Sequence, residues 1–322
     1  MITFAPFPEV ARDERPRPRL PILPLVTLTT TALLFTTSLP GWARMWLIAF
    51  ALFAGFKWWT WRRALQTGAR PAITRSLAYL LLWPGMNARA FLTTAAKVPV
   101  ARTTCCPGSR EPISREQEVT PSTAAWTFAL TKTLLGATLL WVIARLAGHG
   151  LLAGWIGMIG LIFLLHFGLF ALLALFWQSR GLNAAPLMNC PIAATSLHDF
   201  WGRRWNAGFR DIVFALFFLP LARRFNAAAA ALITFLLSGL IHELVITVPA
   251  GAGYGLPTLY FGLQGAGLML ERQRRRAACR LTRGWPGRLF TLAVVALPIP
   301  ALFPPVFVEH VMVPFFQLIH AL

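Results

Sequence analysis

Long uninterrupted apolar runs alternate with short basic segments along this chain. Because the runs are continuous rather than alternating, they predict helices and not half-buried strands. Six of them, 20–39, 45–61, 124–147, 151–177, 227–248 and 289–308, approach or exceed the roughly 20 residues that a helix needs to cross a bilayer core. The run 256–270 is marginal. Two others are shorter. Ile73 to Trp83 predicts an interfacial or re-entrant piece, and Ile212 to Leu221, which closes around Pro220, predicts an element that dips into the membrane and returns. Residues 311–322 predict one more interfacial turn. Backbone groups in lipid must pair internally, and helices do this within one segment. The predicted fold is therefore all-α: a polytopic, multi-pass integral membrane protein of about seven to eight transmembrane helices with re-entrant or interfacial helices. It is read as a single membrane domain over residues 1–322, with an irregular proline- and arginine-rich tail at 1–19.

Charge sharpens this picture. Only 13% of residues are charged, against about 25% in an ordinary soluble domain. The formal net charge is +19, which in a soluble chain would suggest nucleic acid. Here the arginines cluster at 12–19, 62–115, 180–224 and 272–288, between apolar runs, where they set topology and meet anionic lipid headgroups. The connections at Pro40-Gly41, Gly148 to Gly150 and Pro249 to Gly255 carry no Lys or Arg. Their alternation places the N-terminus inside and the C-terminus outside, provided that 212–221 dips and returns. No nucleic-acid partner is expected. The run 20–39 lacks a small-residue cleavage pattern and is read as a retained helix. Trp58, Trp59 and Trp61 suit an interfacial belt. Four cysteines (Cys105, Cys106, Cys190, Cys279) show neither CxxC nor metal spacing, and no metal is expected. The arginine- and alanine-rich composition is compatible with a bacterial source, hence an inner membrane.

Candidate chemistry concentrates between Phe200 and Glu243. His242 and Glu243 lie well inside an apolar run, and ionisable residues at membrane depth mark functional sites by default. On a helix, His242 shares a face with Ser238 and Gly239, while Glu243 points about 100° away and could pair with an arginine elsewhere. A buried imidazole favours the neutral form, which is what a general base must be. The competing structural reading is a histidine hydrogen-bonded between helices. The cluster Phe200-Trp201-Gly202-Arg203-Arg204-Trp205-Asn206 mixes cations with indoles, which could bind phosphate and stack on a base or could simply anchor the interface. Asn206, at the entry of the predicted membrane dip, needs a hydrogen-bond partner. His166 reads as tunnel-lining or packing, His198 and Asp199 as a local pair, and Arg223 and Arg224 as headgroup contacts. His149, His310 and His320 lie near predicted helix ends.

Phe200-Trp201-Gly202-Arg203-Arg204-Trp205-Asn206, preceded by Ser196-Leu197-His198-Asp199, resembles the FWGRRWN motif of wax synthases in the membrane-bound O-acyltransferase superfamily. Ser238 to Glu243 resembles the segment that carries that superfamily's catalytic histidine, and Trp83-Pro84-Gly85-Met86-Asn87 resembles a tract of bacterial wax-synthase-like proteins. The resemblance covers residues 83–271, with a core at 196–249. Phe200, Trp205 and Asn206 also match the related FYxDWWN pattern of sterol and diacylglycerol acyltransferases, whereas Trp201, Arg203 and Arg204 depart from it. The resemblance implies acyl transfer from acyl-CoA, as co-substrate, to a lipophilic alcohol within a central membrane tunnel. It makes His242 the catalytic general base and Asn206 the catalytic orienting residue. Phe200, Trp201, Arg203, Arg204, Trp205 and Ser238 are the candidate substrate-binding residues, and no bound cofactor is implied. The alternatives are a short-chain O-acetyltransferase acting on a terpenoid or glycan hydroxyl, and a membrane transporter. Membrane lipids are the other expected partner, and the sequence is silent on oligomeric state.

Overall fold

The computed structural model describes residues 23–93, 121–148, 150–276 and 284–322. The tail at 1–19, the first three residues of the 20–39 run, the 105–120 loop with Cys105 and Cys106, His149 and Cys279 lie outside them. Among the described residues twelve helices follow in order, with a short 3-10 turn at Pro191–Ala193 besides: α1 (Leu23–Phe35), α2 (Gly41–Gln66), α3 (Ile73–Leu82), α4 (Ala88–Leu92), α5 (Thr123–Leu146), α6 (Leu151–Ser179), α7 (Leu197–Arg204), α8 (Ala207–Ala222), α9 (Ala227–Ala250), α10 (Leu256–Arg276), α11 (Gly284–Leu302) and α12 (Pro305–Leu318). No strand occurs among the described residues. Large apolar side chains such as Leu34, Phe35, Leu81, Leu146 and Leu152 stand exposed on the outside, as expected where the surrounding solvent is lipid. The protein is an all-α integral membrane protein.

Among the described residues, α5, α6, α9 and α11 are long and apolar enough to cross a membrane, and the bent pair α7–α8 makes a fifth if it counts as one span. This is fewer than the seven to eight expected from the apolar runs, for identifiable reasons. Helix α2 has 26 residues, but Arg44, Lys57, Arg62 and Arg63 lower its hydropathy. α10 has the length, and its C-terminal half is basic and polar. The expected 289–308 span is retained as α11 but ends early, at Leu302, because Pro304 and Pro305 push the preceding residues out of the helical region and Phe303 sits at φ −117°, ψ 83°. The expected interfacial turn at 311–322 is instead core. Val311 and Phe316 in α12 are fully buried against Met45, Met158 and Ile246. Trp59 also departs from the predicted belt, packing with Ile48, Phe56 and Met86 in the interior, while Trp58 faces outward.

Two close helix contacts shape the interior. In the α5–α6 hairpin, Gly136 and Gly160 bring the backbones together, and a Cβ on Gly136 would lie 2.8 Å from the Gly160 carbonyl oxygen. Gly239 does the same for α9 and α10, where a Cβ would lie 2.7 Å from Thr258 Cα. The α9–α10 turn uses Gly251, Gly253 and Gly255, all at positive φ (70°, 80° and 85°). Glu243 then closes the contact. Its carboxylate accepts from Thr258 N (3.1 Å) and Thr258 Oγ1 (2.9 Å) at the start of α10, and from Thr247 Oγ1 on its own helix. An acidic group at a helix N-terminus is favourable there. Its partners are these hydroxyls and amides rather than an arginine.

Glycine substitutions separate the two sides of this interface. Gly239→Ala should lower the thermal midpoint of the purified protein in detergent, with overpacking costing about 1–3 kcal/mol. Gly262→Ala on α10, where the nearest atom would be Leu236 Cδ2 at 3.5 Å, should leave it unchanged or raise it. Equal midpoints for the two variants would contradict the close approach at Gly239.

Candidate active site in a membrane cavity

A cavity of about 1430 Å³ runs beside α9. Its wall on that helix extends from Ala227 to Ile246, about 28 Å of helix at 1.5 Å per residue. That is close to the roughly 30 Å thickness of a hydrocarbon core. One end is polar and basic, with Thr195, Arg203, Arg204, Arg210 and Arg272 in the wall. The other end is apolar, lined by Met45, Met158, Ile246, Phe307 and Met312. The volume exceeds the 300–1,000 Å³ of drug-sized ligand pockets and suits a long, mostly apolar ligand.

His242 faces this cavity from α9. Its Nδ1 lies 2.7 Å from the Ser238 carbonyl oxygen one turn earlier. A carbonyl can only accept, so the hydrogen-bond network assigns the proton to Nδ1 and leaves the Nε2 lone pair available. Phe261 of α10 packs against the ring at 4.4 Å between centroids and fixes its plane. Ser238 is also in the wall, but its hydroxyl is returned to the Thr234 carbonyl at 3.0 Å. The carbonyl of Ser238, rather than its hydroxyl, is what serves His242.

The basic aromatic cluster forms the turn between α7 and α8, which meet at 98°. The bend is made at Asn206, which adopts the left-handed conformation (φ 42°, ψ 64°) and caps α8 through Oδ1 and Phe209 N at 3.4 Å. Asparagine tolerates this region better than most residues. With Oδ1 used by the cap, its amide N–H groups have no protein acceptor among the described residues, and Asn206 lines the cavity. Phe200 stacks on Trp205 at 5.5 Å and is itself buried. Trp201 donates from Nε1 to Gln264 Oε1 at 3.3 Å and packs edge-on against Phe235. The two arginines differ. Arg204 donates to Asp199 Oδ2 at 2.6 Å and to the Cys190 carbonyl at 3.2 Å, which makes it a clamp on the preceding loop. Arg203 is exposed at the basic end of the cavity, with no carboxylate partner among the described residues.

The sequence-predicted residues thus meet in one place. His242, Asn206, Trp201, Arg203, Arg204, Trp205 and Ser238 all line the cavity, with Phe200 directly behind. The Asp199 carboxylate accepts from Arg204 Nε and Thr195 N. Arg223 and Arg224 are exposed and outside the cavity wall, as are His310 and His320. Sequence reasoning missed two groups. Lys57 is almost fully buried, donates to the Gly85 carbonyl at 2.8 Å and lies 3.3 Å from the Tyr79 ring centroid. It pins the tract Trp83 to Asn87, against which Gly208, two residues after Asn206, packs (a Cβ there would lie 3.2 Å from Met86 N). A lone cation inside an apolar run was the available signal. Glu271, also buried, accepts from Leu197 N and ties the start of α7 to α10.

Residues 184–261 match the sequence model of the Membrane bound O-acyl transferase family. Curated relatives match part of the chain. The "Probable long-chain-alcohol O-fatty-acyltransferase 9" of Arabidopsis thaliana is 35% identical over 146 residues, 41% of this chain and 42% of that protein. The "Long-chain-alcohol O-fatty-acyltransferase" of Simmondsia chinensis is 35% identical over 142 residues, 40% of each. An "Acyl-CoA--sterol O-acyltransferase 1" of Arabidopsis thaliana is 39% identical over 71 residues, 20% of this chain and 21% of that protein. The match spans about two fifths of the length of the first two relatives. All three relatives are plant proteins and lend no support to a bacterial inner membrane. Residues 184–261, which carry both motifs of the cavity wall, thus match the Membrane bound O-acyl transferase family model, and part of the chain is similar to long-chain-alcohol O-fatty-acyltransferases.

Proposed function

We propose that this protein is a membrane O-acyltransferase that moves a fatty acyl group from acyl-CoA to the hydroxyl of a lipophilic alcohol, giving a wax-type ester. The observation that carries the reading is His242. It is an imidazole at membrane depth, oriented by Ser238 so that an unprotonated Nε2 is available in a cavity with one basic and one apolar end. Long-chain alcohols and sterols live in the bilayer, whereas coenzyme A is polar and phosphorylated. A cavity of this polarity gives each a compatible entrance.

In the proposed reaction, Nε2 of His242 takes the proton of the alcohol as the oxygen attacks the thioester carbonyl. The C–O bond forms, the tetrahedral intermediate collapses, and the C–S bond breaks. The imidazolium returns the proton to the departing sulfur, so ester and free thiol leave and His242 is regenerated. General-base assistance of this kind contributes about 10²- to 10⁴-fold. The amide N–H groups of Asn206, unclaimed by the protein, are suited to hydrogen-bond the reacting carbonyl. Arg203, with its guanidinium at the basic mouth, is suited to the coenzyme's phosphates, and Trp201 and Trp205 offer apolar faces beside it. The names of the relatives support acceptors of the long-chain alcohol or sterol class.

Thin-layer analysis of products from membranes given labelled palmitoyl-CoA and a panel of fatty alcohols and sterols tests the activity. His242→Ala should abolish ester formation while inserting normally, and normal synthesis by that variant would sink the assignment. Asn206→Asp retains the cap and tolerates the left-handed backbone but lacks the amide donor, so its kcat should fall about 10- to 10³-fold. The arginines should separate. Arg203→Ala should raise KM for acyl-CoA about 3- to 10-fold with stability unchanged, since a solvent-exposed charge pair contributes on the order of 1 kcal/mol. Arg204→Ala should cost about 1–3 kcal/mol of stability by leaving Asp199 without its partner. Reversed phenotypes in thermal melts and acyl-CoA titrations would refute this division.

A further inference from the structure

A second imidazole shares the cavity. His166 lies in a π-helical segment of α6, Phe163–Leu169, and its ring forms part of the wall. π-Helical insertions re-aim side chains and are frequent at functional sites. Phe170 packs edge-on against the ring at 5.3 Å and holds its plane. Among the described residues, Nδ1 is fully buried with no hydrogen-bond partner, and Nε2 has none either, although it is not closed off in the same way. A histidine at membrane depth with no partner at either nitrogen among the described residues is costly unless something in the cavity meets it.

Depth and tautomer make the observation specific. His166 is 13 residues before Ser179 at the Arg180 end of α6, about 20 Å along the helix. His242 is 15 residues after Ala227 at the Arg223-Arg224 end of α9, about 22 Å. Both arginine-flanked ends belong to the same side of the membrane by the distribution of basic residues. The two rings therefore lie within about one helical turn of the same depth, on α6 and α9. With Nδ1 of His166 closed off, Nε2 is the nitrogen that a cavity ligand can reach, and the tautomer with its proton on Nε2 is the one that offers that ligand a donor. His242 is the opposite, with Nδ1 protonated toward Ser238 and the Nε2 lone pair available. One ring offers the cavity a donor and the other an acceptor.

The geometry points to a binding site for the acceptor hydroxyl, in which His166 donates from Nε2 to the alcohol oxygen while His242 Nε2 accepts its proton. A hydroxyl is both donor and acceptor, and it matches this pair of rings. A saturated chain gives an apolar cavity no means of fixing its depth. The paired imidazoles would stop the alcohol with its oxygen at the level of the base. This inference rests on the acyl-transfer reading for the role of His242, and it adds a named acceptor-binding residue on a helix outside the 184–261 family match.

The experiment measures equilibrium binding of tritiated hexadecanol to the full chain in lipid nanodiscs, with empty nanodiscs subtracted, beside ester synthesis from palmitoyl-CoA. His166→Phe keeps the ring's bulk and removes the donor, and it should weaken hexadecanol binding about 10-fold, the loss expected when a buried hydrogen bond to the ligand is removed. His166→Gln places an amide N–H near the Nε2 position and should recover most of that loss. The KM for palmitoyl-CoA should not move in either variant. Equal hexadecanol binding by the wild type and His166→Phe overturns the inference, whether or not ester is made. A folded His166→Gln that binds as weakly as His166→Phe also overturns it. If His166-dependent binding is found but the wild type makes no ester, the acyl-transfer reading falls and the hydroxyl site stands.

Discussion

In lipid, a polar group must find its partner within the protein, and the placement of functional side chains in this chain follows from that constraint. Most hydroxyls in the helices satisfy it locally, as when Thr60, Thr133, Thr234, Ser238 and Thr291 return their hydrogen bonds to the carbonyl four residues back. His242 uses the same device, with a different result. By donating Nδ1–H to the Ser238 carbonyl it satisfies half of its ring and exposes the other half to the cavity. Glu243, its neighbour, satisfies its carboxylate fully with Thr247 and Thr258 and so becomes a brace between α9 and α10. Adjacent ionisable residues in one helix thus divide into one that keeps an unsaturated nitrogen toward the cavity and one that braces two helices, by whether their partners saturate them.

Irregular backbone is concentrated around the cavity. Among the described residues five π-helical segments occur, and Phe163–Leu169, Phe200–Arg204, Phe214–Phe218 and Val308–Met312 all contribute side chains to its wall. The left-handed residue Asn206 belongs to the same pattern. Such departures from the regular helix are tolerated at membrane depth where the backbone is covered by protein or faces a cavity rather than lipid. The 98° bend between α7 and α8 depends on this shelter, with Lys57 pinning Gly85 and the tract Trp83 to Asn87 lying against Gly208.

Much of this arrangement is visible in the residue pattern. The hairpin at Gly148 to Gly150, the broken element after Asn206 and the convergence of the 200–206 cluster with His242 follow from apolar run lengths, charge placement and the cost of polar groups in lipid. Other features depend on partners distant in sequence. Thr258 reaches Glu243 across fifteen residues and a glycine turn, and Glu271 reaches Leu197 across seventy-four, so neither pairing has a local signature. Trp59 and Trp58 are chemically identical, and which of them faces inward is decided by α2's neighbours. The prolines at 304 and 305 were readable as a break, but the apolar run around them hides it when hydropathy is averaged. The lack of a partner for His166 can be seen only in three dimensions, because it is a property of what surrounds the ring.

The apolar end of the cavity carries one more consequence. A chamber whose length approaches the bilayer's own thickness is a short-circuit hazard, because a continuous water column through it would dissipate ion gradients. Met45, Met158, Ile246, Phe307 and Met312, packed with Val308 and Phe316, give that end an apolar wall. Hydrophobic constrictions of this kind exclude ions by dewetting. An apolar wall that is hospitable to a lipid chain is also one that a continuous water column wets poorly.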